Sequence, residues 1–361
     1  MDPERILLDP TLRSTAALDF ETQLQRRLVG QPDAVVKATQ LVQAFMAGFT
    51  PGDRAAGVML LLGPTGTGKT RLVEAIAEIL FGTPKAFFKL ACAEYQDSYQ
   101  TNRLLGAPPG YIGYAEHKGE GLITQAKLDQ YQTADTKLNL VLFDEIEKAH
   151  DRLFDLMLNI LDKGEMTTSN GHKIDFTQTL VFMTSNLGAS QLGKAIGFTA
   201  DQAAAVDRSN ARVIQAAVKA RFRPEFLNRL DHQVIFQTLQ PEHLRAILHF
   251  EVDAIRRRLS RSANHNRFVF VVSSRAEEAL LKEGFDAQVG ARHLKRVLEQ
   301  RIVSPLANLV MSGQVALGDL VSIEYEDQFT YSRYNGDEIA QLPAEAWGSF
   351  KSRLIRPPVA A

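Results

Sequence analysis

Residues 63–70, GPTGTGKT, carry the spacing Gly-x-x-x-x-Gly-Lys-Thr. Glycines placed this way let backbone N–H groups turn inward around an anion, and a helix starting at the lysine adds the partial positive charge of its first turn. Gly63, Pro64, Thr65, Gly66, Thr67 and Gly68 would cradle the phosphates of a nucleotide. Lys69 would reach the β- and γ-phosphates, and Thr70 would ligate Mg²⁺. Further along, LVLFDEIEKAH (140–150) ends an apolar run with two adjacent carboxylates. Asp144 would hold the Mg²⁺ through water, and Glu145 would orient and deprotonate an attacking water. The two stretches together imply hydrolysis of a nucleoside triphosphate.

That chemistry needs a buried strand before the loop and a helix after it. GVMLLL (57–62) and RLVEAIAEIL (71–80) supply both. Similar apolar runs follow at 86–91 (AFFKLA), 138–143 (LNLVLF), 179–184 (TLVFMT) and 232–236 (HQVIF), separated by helical patterns. Short buried runs alternating with helices predict an α/β fold, a parallel sheet flanked by helices. In 151–163, Leu153, Phe154, Met157, Leu158 and Leu161 share one stripe, so this helix packs on the sheet. Two more helices are expected upstream, around Leu18–Leu28 and from Pro32 to about Phe49. After about Leu239 the pattern changes to helix, strand FVFVV (268–272), helix, a longer helix with a break expected near Pro305, and strand DLVSIEY. The domains read as a lead-in (1–27), a large nucleotide-binding domain (28–238), a small, mainly helical C-terminal domain (239–327) and an extension (328–361) that carries Pro343, Pro357 and Pro358 and little periodicity.

GAPPGYIGYAEHKGEG (106–121) fits neither helix nor strand. Its apolar residues Tyr111, Ile112 and Tyr114 are either covered by another part of the protein or displayed for contact. Composition narrows the function classes. Lys plus Arg number 41 and Asp plus Glu 42, so the net charge of −1 gives no global attraction to nucleic acid or an anionic membrane. The single cysteine, Cys92, excludes an intrachain disulfide framework and suits a reducing compartment. The first residues, MDPERILLDPTLRS, lack a signal-peptide pattern, and no apolar run is long enough to span a bilayer; the expectation is a soluble, cytoplasmic protein.

Seven blocks in order, RLVGQPDAV (27–35), the phosphate loop, GAPPGYIGY, FDEIEKAHDRLFDLMLNILDKG, MTSNLGA (183–189), FRPEFLNRLD (222–231) and GARHLKR (290–296), resemble the Clp-type AAA+ ATPases. The likeness is greatest to the second ATPase domain of the ClpB, ClpA and ClpC unfoldases. The resemblance implies ATP, with Val29 and Gln31 in the segment over the adenine. It implies Asn186 as the first sensor beside the γ-phosphate, although by residue type alone a strand-terminal Asn is as readily a turn former. It implies Arg229 as an arginine reaching into a neighbouring subunit's site, and Arg292 as the second sensor, from the small domain. Tyr111, with Ile112 beside it, corresponds to the residue that grips a polypeptide threaded through the pore of a homo-hexamer. Ile196-Gly197-Phe198 is similar to the tripeptide by which some relatives dock a peptidase. With no first ATPase domain visible, the lead-in, the extension or an adaptor protein would select substrates. RRRLSR (256–261) and the Arg292–Arg301 stretch leave one alternative open, a nucleic-acid-dependent AAA+ motor or loader.

Overall fold

The structure is a computed structural model in which residues 9, 12–106, 121–189, 200–261, 268–285 and 290–335 are described. The chain divides into two units, Met1–Thr238 and Leu239–Ala361. In the first, helices α1 (Thr15–Arg27) and α2 (Pro32–Met46) precede β1 (Gly57–Leu62), α3 (Lys69–Phe81), β2 (Phe88–Ala91), α4 (Ser98–Leu105) and β3 (Asn139–Asp144). There follow α5 (Asp151–Lys163), a hairpin of β4 (Glu165–Thr167) and β5 (Lys173–Asp175), β6 (Thr179–Ser185), α6 (Ala200–Arg221), α7 (Pro224–Leu227) and β7 (His232–Ile235).

The main sheet has the order β2-β3-β6-β1-β7, and all its pairs are parallel. Every residue of β1 and β6 is buried, as central strands covered on both faces must be. Alternate residues feed two cores. Val58, Leu60 and Leu62 join Val141, Phe143, Val181 and Met183 against α5, α6 and α7. Met59 and Leu61 join Leu140, Leu142, Leu180 and Phe182 against α1, α2 and α3. The helix within the lead-in belongs to this unit, since Phe20 and Leu24 of α1 are buried in the second core. The β4–β5 hairpin is too short for a periodic signal and is visible only through its pairing.

The second unit contains α8 (Pro241–Arg261), β8 (Val269–Val272), α9 (Ser274–Gly284), α10 (Ala291–Leu298), α11 (Ser304–Met311), β9 (Leu320–Tyr325) and β10 (Phe329–Tyr334). Two features refine the sequence reading. The α-helix is interrupted just before Pro305, as its ring predicts, but the chain stays helical: Glu299–Val303 form a π turn, and Ser304 N–H donates to Glu299 O. Pro305 has no N–H for the Arg301 carbonyl, and the Tyr331 hydroxyl donates to that oxygen instead, at 2.8 Å. Part of the expected extension is also a strand, β10, paired antiparallel with β9. In FTYSRY, Phe329 and Tyr331 pack on the unit's core while Thr330 and Ser332 are exposed, a period-two signal of four residues that ends at Arg333. Among the described residues no helix is long and apolar enough to cross a membrane.

Candidate functional site

Strands β1, β3 and β6 run parallel, with Leu62 opposite Ser185 and Phe143 opposite Met183. Gly63, the Asp144–Glu145 pair and Asn186 therefore leave the sheet at one edge, the carboxyl edge where open α/β sheets bind ligands. The loop from Gly63 to Gly68 connects β1 to α3. Gly63 has φ 130°, and a Cβ there would lie 2.6 Å from the Phe236 carbonyl oxygen, so no other residue fits without movement. Gly68 sits at the N-cap of α3 with φ 106° and no side-chain cap. The first N–H groups of this 13-residue helix are thus offered to an anion.

Lys69 is 8% exposed. Its ammonium donates to Gly63 O at 2.6 Å, Pro64 O at 2.8 Å and Asn186 Oδ1 at 2.7 Å. Asn186 in turn donates from Nδ2 to Glu145 Oε1 at 3.2 Å, and its backbone N–H donates to Glu147 Oε1 at 3.0 Å. A buried cation, an amide and a carboxylate thus form one chain of polar contacts across the sheet edge. The other Glu145 oxygen accepts from Lys148 at 2.6 Å, a bond that pushes the Lys148 ammonium pKa up.

Glu145 is the one non-glycine residue with positive φ among the described residues (φ 57°, ψ 53°). Such a conformation costs about 1–3 kcal/mol and persists where surrounding contacts fix it. Thr184 supplies two of them: its hydroxyl donates to Asp144 Oδ1 at 2.6 Å and accepts the Glu145 N–H at 2.9 Å. Arg221 braces the same turn, donating to Glu147 O and Ala149 O, each at 3.1 Å. It lies over the Phe154 ring at 5.1 Å, and Phe154 packs edge-on against Phe222 and Phe226. Beneath the turn, burial first and then the carboxylates of Asp144, Glu147 and Glu145 push the Cys92 thiol far above its usual range.

The remaining expected residues divide into three groups. Gln31 is buried; its amide donates to Thr67 O at 3.2 Å and Gln237 O at 2.9 Å and accepts Gln237 N–H at 3.0 Å, fastening the phosphate loop to the end of β7. Val29 is half-buried two residues earlier, and Thr65, Gly66 and Thr70 are partly exposed on the loop and the first turn of α3. Arg229 lies away from the loop's own contacts and pairs with Asp162 at the end of α5. Arg292 belongs to the second unit, exposed near the start of α10. Tyr111 and Ile112, and the tripeptide Ile196-Gly197-Phe198, lie outside the described residues.

Comparison with known proteins follows the same layout. Residues 54–233 match a family described as AAA domain (Cdc48 subfamily), and residues 239–323 match the C-terminal, D2-small domain, of ClpB protein. Probable chaperone protein ClpB 1 of Chlorobaculum tepidum is 38% identical over 314 residues, covering 86% of this chain and 68% of the relative. The chain belongs to the ClpB family. Chaperone protein ClpB 1 of Parasynechococcus marenigrum is 37% identical, with 86% of this chain and 34% of the relative covered. Chaperone protein ClpB of Mycobacterium tuberculosis is 38% identical, with 85% and 32% covered. The chain therefore spans about a third of the length of these two ClpB proteins. A closed-state cryo-EM reconstruction of Hsp104 with ATPγS and FITC casein matches with a TM-score of 0.74 and 29% identity, over 89% of this chain and 52% of that one.

Within this ClpB-family site, sequence reasoning missed Thr184, Glu147, Arg221 and Lys89, whose Nζ lies 2.7 Å from Asp144 Oδ2. Thr184 and Glu147 each stand two residues from a predicted site residue, which was the available signal. Arg221 and Lys89 carry none, because their partners are set by packing and strand order.

Proposed function

We propose that this chain is an ATP-driven protein-remodelling ATPase. The observation that carries the reading is the contact chain Lys69–Asn186–Glu145, 2.7 and 3.2 Å, beside the uncapped start of α3. Backbone N–H groups of Gly66, Thr67, Gly68 and Lys69 would bind the phosphates, and the Lys69 ammonium would exchange loop carbonyls for β- and γ-phosphate oxygens. Glu145 would accept a proton from water while Asn186 orients that water on the γ-phosphorus; the bond to the β,γ-bridging oxygen breaks, giving ADP and phosphate. Thr70 and Asp144, hard oxygen donors, are the residues that would hold Mg²⁺, which supplies charge neutralisation on the phosphates when bound.

The same reading gives Val29 the adenine side of the site and Gln31 the bracing of the loop. It gives Arg292 a sensing role from the small domain, and Arg229 a role in trans within a homo-hexamer. There Asp162 would hold the Arg229 side chain until a neighbour's nucleotide competes for it. Tyr111 and Ile112 would grip a polypeptide, the class of substrate present with the Hsp104 neighbour. Three of the basic residues that favoured nucleic acid pair within their own unit: Arg256 with Asp253, Lys295 with Glu251 and Arg301 with Glu283. The test is Glu145→Gln, which should retain ATP and lose turnover, alongside wild-type ATPase measured with casein or with single-stranded DNA. Stimulation by casein supports remodelling; stimulation by DNA alone, or turnover of Glu145→Gln within about threefold of wild type, overturns the reading.

A further inference from the structure

Lys89 stands on β2 opposite Leu142, one diagonal step from Asp144 across the β2–β3 pair. Residues two apart on a strand share a face, and a lysine stem is long enough to reach the diagonal neighbour. Its Nζ lies 2.7 Å from Asp144 Oδ2, while Asp144 Oδ1 accepts the Thr184 hydroxyl at 2.6 Å. The two contacts do different things. Thr184 orients the carboxylate and adds no charge; Lys89 places a full positive charge on the same carboxylate, which would hold a divalent cation. The pair is half open to solvent, with the Lys89 side chain 45% exposed and that of Asp144 23% exposed. Ion pairs this exposed add little to stability, so the pair's consequence lies in the charge presented at Asp144.

We propose that Lys89 is a positioning residue that sets the magnesium dependence of nucleotide binding. Its ammonium competes with Mg²⁺ for Asp144, and in metal-free conditions it screens the Asp144 carboxylate from the phosphates. This rests on the reading of Asp144 as a metal-binding residue. Removing the charge therefore has effects of opposite sign. Metal-free nucleotide binds more weakly, because one positive charge beside Asp144 and the phosphates is gone, and Mg²⁺ binds more tightly, because its competitor is gone.

The experiment measures the affinity of N-methylanthraniloyl-ADP with Mg²⁺ and with EDTA for the wild type and for Lys89→Met, Lys89→Gln, Lys89→Arg and Asp144→Asn, each first shown to melt cooperatively. The readout is the ratio of the two affinities, which a general loss of stability would not raise. Lys89→Met and Lys89→Gln should raise it about tenfold, a normal size for coupling between neighbouring sites. Lys89→Arg, which keeps the charge, should leave it within about twofold of wild type. An unchanged ratio in both neutral variants, with the Mg²⁺ effect lost in Asp144→Asn, overturns the role of Lys89 alone. A Mg²⁺ effect that survives Asp144→Asn overturns the metal assignment and this inference with it.

Discussion

Replacing Asn186 separates a structural role from a chemical one, because its amide touches both the Lys69 ammonium and the Glu145 carboxylate. In Asn186→Ala, Lys69 keeps Gly63 O at 2.6 Å and Pro64 O at 2.8 Å, so the loop retains its shape. Nucleotide affinity should then stay within about threefold of wild type, since the lost bond is one the phosphates replace anyway. Turnover should fall about a hundredfold, the usual cost of removing one oriented polar group at a reacting centre. Asn186→Asp should behave differently. A carboxylate 2.7 Å from Lys69 Nζ competes with phosphate for the ammonium, and at 3.2 Å from Glu145 Oε1 it sets two negative charges side by side. Turning this ion–dipole bond into an ion pair adds about 2 kcal/mol in a partly solvated site, so affinity should drop about thirtyfold. Titration with a fluorescent ADP and a coupled ATPase assay give the two quantities. If Asn186→Ala loses affinity and turnover in parallel, or if Asn186→Asp binds nucleotide like wild type, the contact chain is structural and its assignment to the chemistry is wrong.

Gly63→Ala should cost about 3 kcal/mol through the positive φ and the clash with the Phe236 carbonyl. For a transition of this size that corresponds to roughly 6–12 °C in melting temperature, and an unchanged melt would show that the loop accommodates a Cβ. Cys92 is the only cysteine of the chain; it is buried, and burial together with three nearby carboxylates keeps its thiol protonated. Ellman's reagent should leave the native protein unlabelled at neutral pH and react with one thiol per chain in denaturant, whereas rapid native labelling would contradict the packing under the acidic turn.

What the sequence alone determined is what fits in a contiguous window. The Gly-Lys-Thr spacing located the phosphate loop, five apolar runs located the strands of the main sheet, and the stripe from Leu153 to Leu161 located α5. Each of these signals is a local period or spacing. The resemblance to Clp-type ATPases added Asn186, Arg229 and Arg292 by alignment of short blocks, without showing what each touches. Tertiary structure decided the partners. Lys69 meets Asn186 across 117 residues because the strand order places β6 beside β1, and Thr184 meets Asp144 because β3 pairs with the other side of β6. Lys89 reaches Asp144 only through the β2–β3 register, and Arg229 finds Asp162 only once α5 and the end of α7 pack on one face of the sheet. Pro305 shows the same division. Its ring predicts a break, but whether the freed Arg301 carbonyl is lost or satisfied depended on Tyr331, a residue of β10 brought alongside by the pairing of β9 and β10. Local periodicity encodes which residues are buried, whereas contacts between residues distant in the chain depend on strand order and register, which no short window contains.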